Sequence, residues 1–177
     1  KKYPLKNLLD TAIDTLILLK NEIVFDKNSF LLDYNFFTFK SEIAEFIDYY
    51  LPYVFNKNIP EDYSYEFFQL WEYYYNLILF DFQNFVHKDF NINNLIYLPN
   101  RNKHRKCGVI DFQNAFWGDN CWDLFSLLED SRIYFDDQFN DHYIKFFYEN
   151  TNQKISFKNF KEKYYILNCS RQTRLLG

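Results

Sequence analysis

His87-Lys88-Asp89-Phe90-Asn91-Ile92-Asn93-Asn94, followed after a spacer by Val109-Ile110-Asp111-Phe112, is the stretch on which the reading of this 177-residue chain turns. Asp89 and Asn94 lie five residues apart in a segment that reads as a loop, and Asp111 closes a short apolar run. Phosphoryl transfer needs these residue types. One carboxylate orients the attacking hydroxyl and takes its proton, while a carboxamide and a second carboxylate hold the Mg²⁺ ions on a nucleotide. Asp89 is the candidate base. Asn94 offers a neutral carbonyl oxygen and Asp111 an anionic one, both suited to Mg²⁺, which prefers hard oxygen donors and keeps several waters. Each residue alone is ordinary, since Asp caps turns and ends strands and Asn populates polar turns. The constellation is more specific than any of its members.

Outward from this stretch, short β-favouring runs at 85–86, 95–98 and 107–110 are separated by polar segments. Residues 99–106 join the last two as a polar hairpin connection, and their basic run reads as a solvated tip rather than a nucleic-acid patch. Upstream, Leu5, Leu8, Leu9, Ala12, Ile13, Leu16 and Ile17 form the stripe of an amphipathic helix over 5–20. Turn signals follow at 26–29 and 33–35. A second helix is predicted over 41–51, ended or kinked by Pro52, and a third over 63–80 whose wide apolar arc predicts burial between neighbours. Downstream, a helix opens at Asp123, and two more are predicted over 136–150 and 157–176.

The fold class is therefore mainly α with a small β-hairpin, in a single domain spanning 1–177, with the hairpin at about 85–112. Nothing before His87 alternates like a nucleotide-binding sheet. Glycine occurs only at 108, 118 and 177, so no G-x-G-x-x-G or Walker A loop can be drawn. The phosphate-cradling lobe is expected to be missing from these residues, and a start at Lys1-Lys2 in a chain without methionine reads as a fragment.

Composition narrows the partners. Aromatic residues make up 23% of the chain, with 22 Phe and 16 Tyr, and read chiefly as core filling. A net charge of −4 gives no positive field to recruit nucleic acid or an anionic membrane. No apolar run is long enough to span a bilayer. Cys107, Cys121 and Cys169 fit neither a disulfide framework nor a metal clip, which points to reduced thiols and a cytoplasmic setting.

The order His-x-Asp-x-x-x-x-Asn, then Ile110-Asp111-Phe112, resembles the aminoglycoside phosphotransferase and choline kinase superfamily, which has a protein-kinase-like fold. The likeness continues through Gln113-Asn114-Ala115, Gly118 and Asp123-Leu124 to Ser126-Leu127-Leu128-Glu129-Asp130. That stretch is similar to the bacterial cell-wall-recycling kinases that phosphorylate N-acetylmuramate and N-acetylglucosamine at the anomeric hydroxyl. Ser170 to Gly177 resembles the same subgroup more faintly. Asn91 departs from the His common at its place in the superfamily.

The resemblance implies a helical C-lobe without its N-terminal nucleotide lobe, ATP and Mg²⁺ as cofactors, and a small-molecule acceptor, an amino sugar. It implies that Asp89 is catalytic and that Asn94 and Asp111 hold the metal. By the same likeness His87 is a structural strut, and Asp123 either braces the loop or simply caps the following helix. Glu129, Asp130 and Arg132 either meet the sugar or form an exposed helix end. Phe116, Trp117 and Trp122 read as packing rather than a stacking face. A choline, ethanolamine or aminoglycoside kinase remains open as an alternative, as does a catalytically silent kinase-like binding module. Little turnover is expected of these residues alone.

Overall fold

The computed structural model describes residues 3–26, 29–78 and 80–177. Backbone contacts divide the chain into two compact units, residues 1–33 with 81–161, and residues 34–80 with 162–177. Helices dominate both, and the strands are short.

In the first unit, α1 (Leu5–Glu22) buries Leu9, Ala12, Ile13 and Leu16, the stripe expected from their spacing, and runs two residues past the predicted end. It packs on α5 (Trp122–Leu128) and α6 (Asp137–Asn150). Asp136 caps α6 by accepting from the Phe139 amide at 2.8 Å, and Tyr143, Ile144 and Phe147 form its buried side. Tyr143 also donates its hydroxyl to Asp10 Oδ1 of α1 at 2.6 Å. The first turn of α7 (Phe157–Leu176) brings Phe160 against Phe147, with ring centroids 6.1 Å apart.

Two small sheets complete this unit. In one, β5 (Phe116–Gly118) lies between β1 (Leu32–Asp33), parallel to it, and β2 (Asn84–Val86), antiparallel with Val86 opposite Phe116. In the other, β3 (Leu95–Tyr97) and β4 (Cys107–Val109) form the expected hairpin, Leu95 facing Val109 and Tyr97 facing Cys107. The sequence reading contains neither β1 nor β5. Phe116, Trp117 and Trp122 are all buried, so these rings belong to the core. Gly118 is a packing requirement, because a side chain there would run into the Phe116 ring and Val86.

In the second unit, Asn35 caps α2 (Phe36–Glu45) through the Thr38 amide at 3.0 Å. A π-helical turn, Phe46–Tyr50, leads into α3 (Leu51–Phe55), which ends on left-handed Asn56. The helical stretch thus starts before residue 41 and passes Pro52. Proline has no amide to donate, and it is accommodated at the start of α3, directly after the widened turn. The third predicted helix is α4 (Glu61–Leu77), and here burial was misjudged: none of its residues is buried, with Tyr63 64% and Leu77 58% exposed. Its inner side is confined to a strip of half-buried rings: Phe67 lies 5.9 Å from Phe46, and Trp71 lies 5.7 Å from Phe39. Tyrosine hydroxyls let the other rings face water. Leu79, within the predicted helix, and Lys27 and Asn28, within a predicted turn, lie outside the described residues.

Candidate active site

The first unit places the His87–Asn94 loop between β2 and β3. Val86 and Phe90 are fully buried on either side of His87 and Asp89, which anchors the loop in the core while Asp89 stays half-exposed. Asn91 shapes the second half by accepting from the Asn93 amide at 3.1 Å, which starts the 3₁₀ turn Ile92–Asn94. That turn brings the Asn94 side chain back, and its Nδ2 donates to the Asp89 carbonyl at 2.9 Å.

Ile110, at the exit of β4, is tied to this loop on both sides. Its amide donates to the Asn94 carbonyl at 3.0 Å, and its carbonyl accepts from His87 Nε2, also at 3.0 Å. A carbonyl can only accept, so the His87 proton resides on Nε2, and Nδ1 is buried without a hydrogen-bond partner. Asp111 follows at once, exposed, with φ 70°, a left-handed conformation that Asp tolerates better than most residues. Its Oδ1 accepts from Gln113 Nε2 at 2.8 Å. Two hydrogen bonds therefore bring the backbones bearing Asp89, Asn94 and Asp111 to one end of the hairpin.

Asp123 lies in the first turn of α5, but the helix takes no side-chain cap from its N-cap residue Cys121, and the Asp123 carboxylate turns to the loop. Oδ2 accepts from the His87 amide at 2.9 Å and Oδ1 from the Lys88 amide at 3.1 Å. Lys88 has φ 76°, and its carbonyl accepts from Ser126 Oγ at 3.3 Å. Opposite Asp123 is Lys20 at the end of α1. Its ammonium lies 2.8 Å from Asp123 Oδ2 and also donates to the Phe85 carbonyl. Sequence reasoning missed Lys20, which stands in no motif and lies 103 positions from its partner, and it gave Ser126 no role although that residue lies within the stretch of likeness.

Glu129, Asp130 and Arg132 follow at the end of α5, with hydrogen bonds to residues around them. Glu129 Oε1 accepts from Asn140 at 3.2 Å, and buried Asp130 accepts from both the amide and the guanidinium of Arg132.

The sequence profile of a family described as the phosphotransferase enzyme family matches residues 61–153, just over half of the chain. The chain belongs to this family. Within this family member, a stretch is 44% identical over 48 residues to an N-acetylmuramate/N-acetylglucosamine kinase of Caulobacter vibrioides. The match covers 27% of this chain and 13% of that kinase, so it spans a small part of the relative.

The family implies a nucleotide and a divalent cation, and the oxygen donors of Asn94 and Asp111 fit them. The donor end of the Asn94 amide is engaged by Asp89, which leaves its oxygen end for a cation. Asp111 retains Oδ2 beside the Gln113 bond. Among the described residues no three His, Cys, Asp or Glu side chains gather into a metal cage. Two hard oxygen donors nonetheless suit Mg²⁺, which fills its remaining positions with waters and phosphate oxygens. Among the described residues, no helix is long and apolar enough to cross a membrane.

Proposed function

We propose that this chain supplies the phosphoryl-transfer centre of an ATP-dependent kinase acting on a hydroxyl of a small molecule, an amino sugar of the N-acetylmuramate or N-acetylglucosamine type, at its anomeric position. The observation that supports the reading is the double tie of Ile110 to Asn94 and His87, which joins the segment bearing Asp111 to the loop bearing Asp89 and Asn94. The name of the Caulobacter kinase supports the acceptor class.

In this reading Asp89 accepts the proton of the sugar hydroxyl as it attacks the γ-phosphorus, and the bond to the β,γ-bridging oxygen breaks in line. No described hydrogen bond engages the Asp89 carboxylate, while its backbone carbonyl accepts three, so the residue is held and its acid group remains available. Bound Mg²⁺ would draw charge from the phosphates, with Asn94 and Asp111 as its protein ligands. His87 and Asp123 keep the loop in register. A phosphate-cradling loop and its Lys have no counterpart in the 177 residues, and the reading assigns them to an N-terminal nucleotide lobe.

The test is ATP consumption by the phosphotransferase carrying this chain, screened against N-acetylglucosamine, N-acetylmuramate, choline and aminoglycosides. Turnover with the amino sugars, lost by about a thousandfold or more in Asp89→Asn, is the expected result. Unchanged turnover in that variant would remove Asp89 as the base, and choline turnover alone would replace the acceptor.

A further inference from the structure

Lys20 lies close to the loop, and no motif or family likeness accounts for it. Its position is unusual for lysine. The side chain is 2% exposed, its Asp123 partner is fully buried, and the ion pair is 2.8 Å long. Buried lysines are rare unless paired, and a buried carboxylate without its counter-charge is costly, so each group justifies the other's presence. What singles out this pair is what else its members touch. Asp123 divides its two oxygens between the His87 and Lys88 amides, the two residues immediately before Asp89. Lys20 takes the same Oδ2 that receives the His87 amide, and also the carbonyl of Phe85 in β2, one residue before Val86.

The ammonium therefore joins the strand that enters the loop to the carboxylate that holds the loop's first two amides. With three N–H donors and no acceptor, lysine can satisfy a carboxylate and a carbonyl together. A neutral side chain of the same length could fill the space but would leave the buried carboxylate without its counter-charge and remove a donor to the Phe85 carbonyl. Lys88, whose amide Asp123 holds, carries its ammonium over the Phe116 ring, 6.0 Å from the centroid. Ser126 meets the Lys88 carbonyl from α5, completing a frame drawn from α1, β2 and α5.

We infer that Lys20 is a positioning residue of the phosphoryl-transfer loop, acting through Asp123 to fix the His87 and Lys88 backbone and so the placement of the Asp89 carboxylate. The functional part of this inference rests on the reading of Asp89 as the base. The backbone part does not.

The experiment compares wild type, Lys20→Met, Lys20→Arg and the double variant Lys20→Met with Asp123→Asn, which removes both charges and guards against misfolding by a stranded carboxylate. In this chain, the amide resonances and hydrogen exchange of His87 and Lys88 are followed against reference amides in α6. In the phosphotransferase carrying the chain, kcat and KM are measured with ATP and N-acetylglucosamine. Expected are exchange at His87 and Lys88 at least about tenfold faster in the Met-containing variants with α6 unchanged, partial recovery in Lys20→Arg, and kcat lower by about tenfold to a hundredfold at near-constant KM. Exchange that rises equally in α6, or that stays at the wild-type level in the loop, overturns the inference. So does wild-type kcat in Lys20→Met when Asp89→Asn is inactive. If Asp89→Asn is as active as wild type, it is the base assignment that fails, and the exchange result still decides whether Lys20 holds the loop.

Discussion

Asp123 Oδ1 receives the amide of Lys88 at 3.1 Å, and the residue so held has φ 76°. A left-handed backbone costs a residue with a Cβ roughly 1–2 kcal/mol, so the carboxylate stabilises a conformation that lysine would otherwise avoid. Replacing Lys88 by glycine removes that strain and adds back some unfolded-chain entropy, for a net gain of roughly 0.5 kcal/mol. Lys88→Val, β-branched at the same φ, should lose about 2 kcal/mol or more. Urea midpoints for the two variants check both signs, and a destabilised Lys88→Gly would contradict the strain argument.

Removing Asp123 itself should be among the most damaging single changes. Asp123→Ala strands the Lys20 ammonium in the interior and leaves two loop amides without their acceptor. The loss expected is about 3–5 kcal/mol, measured by denaturant unfolding. A loss under about 1 kcal/mol would mean that water reaches the pair after all.

Asn94 gives a prediction on metal dependence. Asn94→Ala removes one proposed Mg²⁺ ligand and one donor to the Asp89 carbonyl. The Mg²⁺ concentration for half-maximal turnover should rise about tenfold to a hundredfold, with a smaller change in the KM for the acceptor. An unchanged Mg²⁺ requirement would take Asn94 out of the ligand set.

The bond from Tyr143 to Asp10 predicts how stability varies with pH. Burial pushes the Tyr143 hydroxyl above its ordinary range, and the hydrogen bond to Asp10 adds to the rise. Burial opposes ionisation of Asp10, but the hydrogen bonds from Lys6 and Tyr143 outweigh it and leave the carboxyl below its usual value. A raised tyrosine contributes stability that is complete below its unfolded pKa of about 10 and falls as pH rises beyond it. The lowered aspartate contributes above its unfolded pKa of about 3.9, and that contribution is lost as pH falls through the folded value. Tyr143→Phe should cost about 1 kcal/mol near neutrality and flatten the alkaline limb of a thermal-stability profile. An alkaline limb identical to wild type would assign the loss to other groups.

The elements longest in sequence and most regular in period were the most legible. The stripe of α1 and the polar spacer between β3 and β4 needed only local pattern, and both appear where that pattern puts them. α4 shows the limit. A helix with Phe, Trp and Tyr on most sides looks buried by composition, yet the rings carrying hydroxyls face solvent, and no pattern separates them from core rings. β1 and β5 escape because their pairing is set by tertiary contact, Leu32 meeting Phe116 far along the chain. In the site, the residue types at 89, 94 and 111 were readable, whereas the contact of Lys20 with Asp123 exists only once α1 packs beside α5.

The left-handed turn at Asp111 makes that position selective for two independent reasons. Its backbone favours a short polar side chain or none, and its proposed chemistry asks for an anionic oxygen. Asparagine meets the first demand and fails the second; glutamate does the reverse. A pair of substitutions at one residue can thus separate the architecture of the hairpin's exit from the charge displayed there.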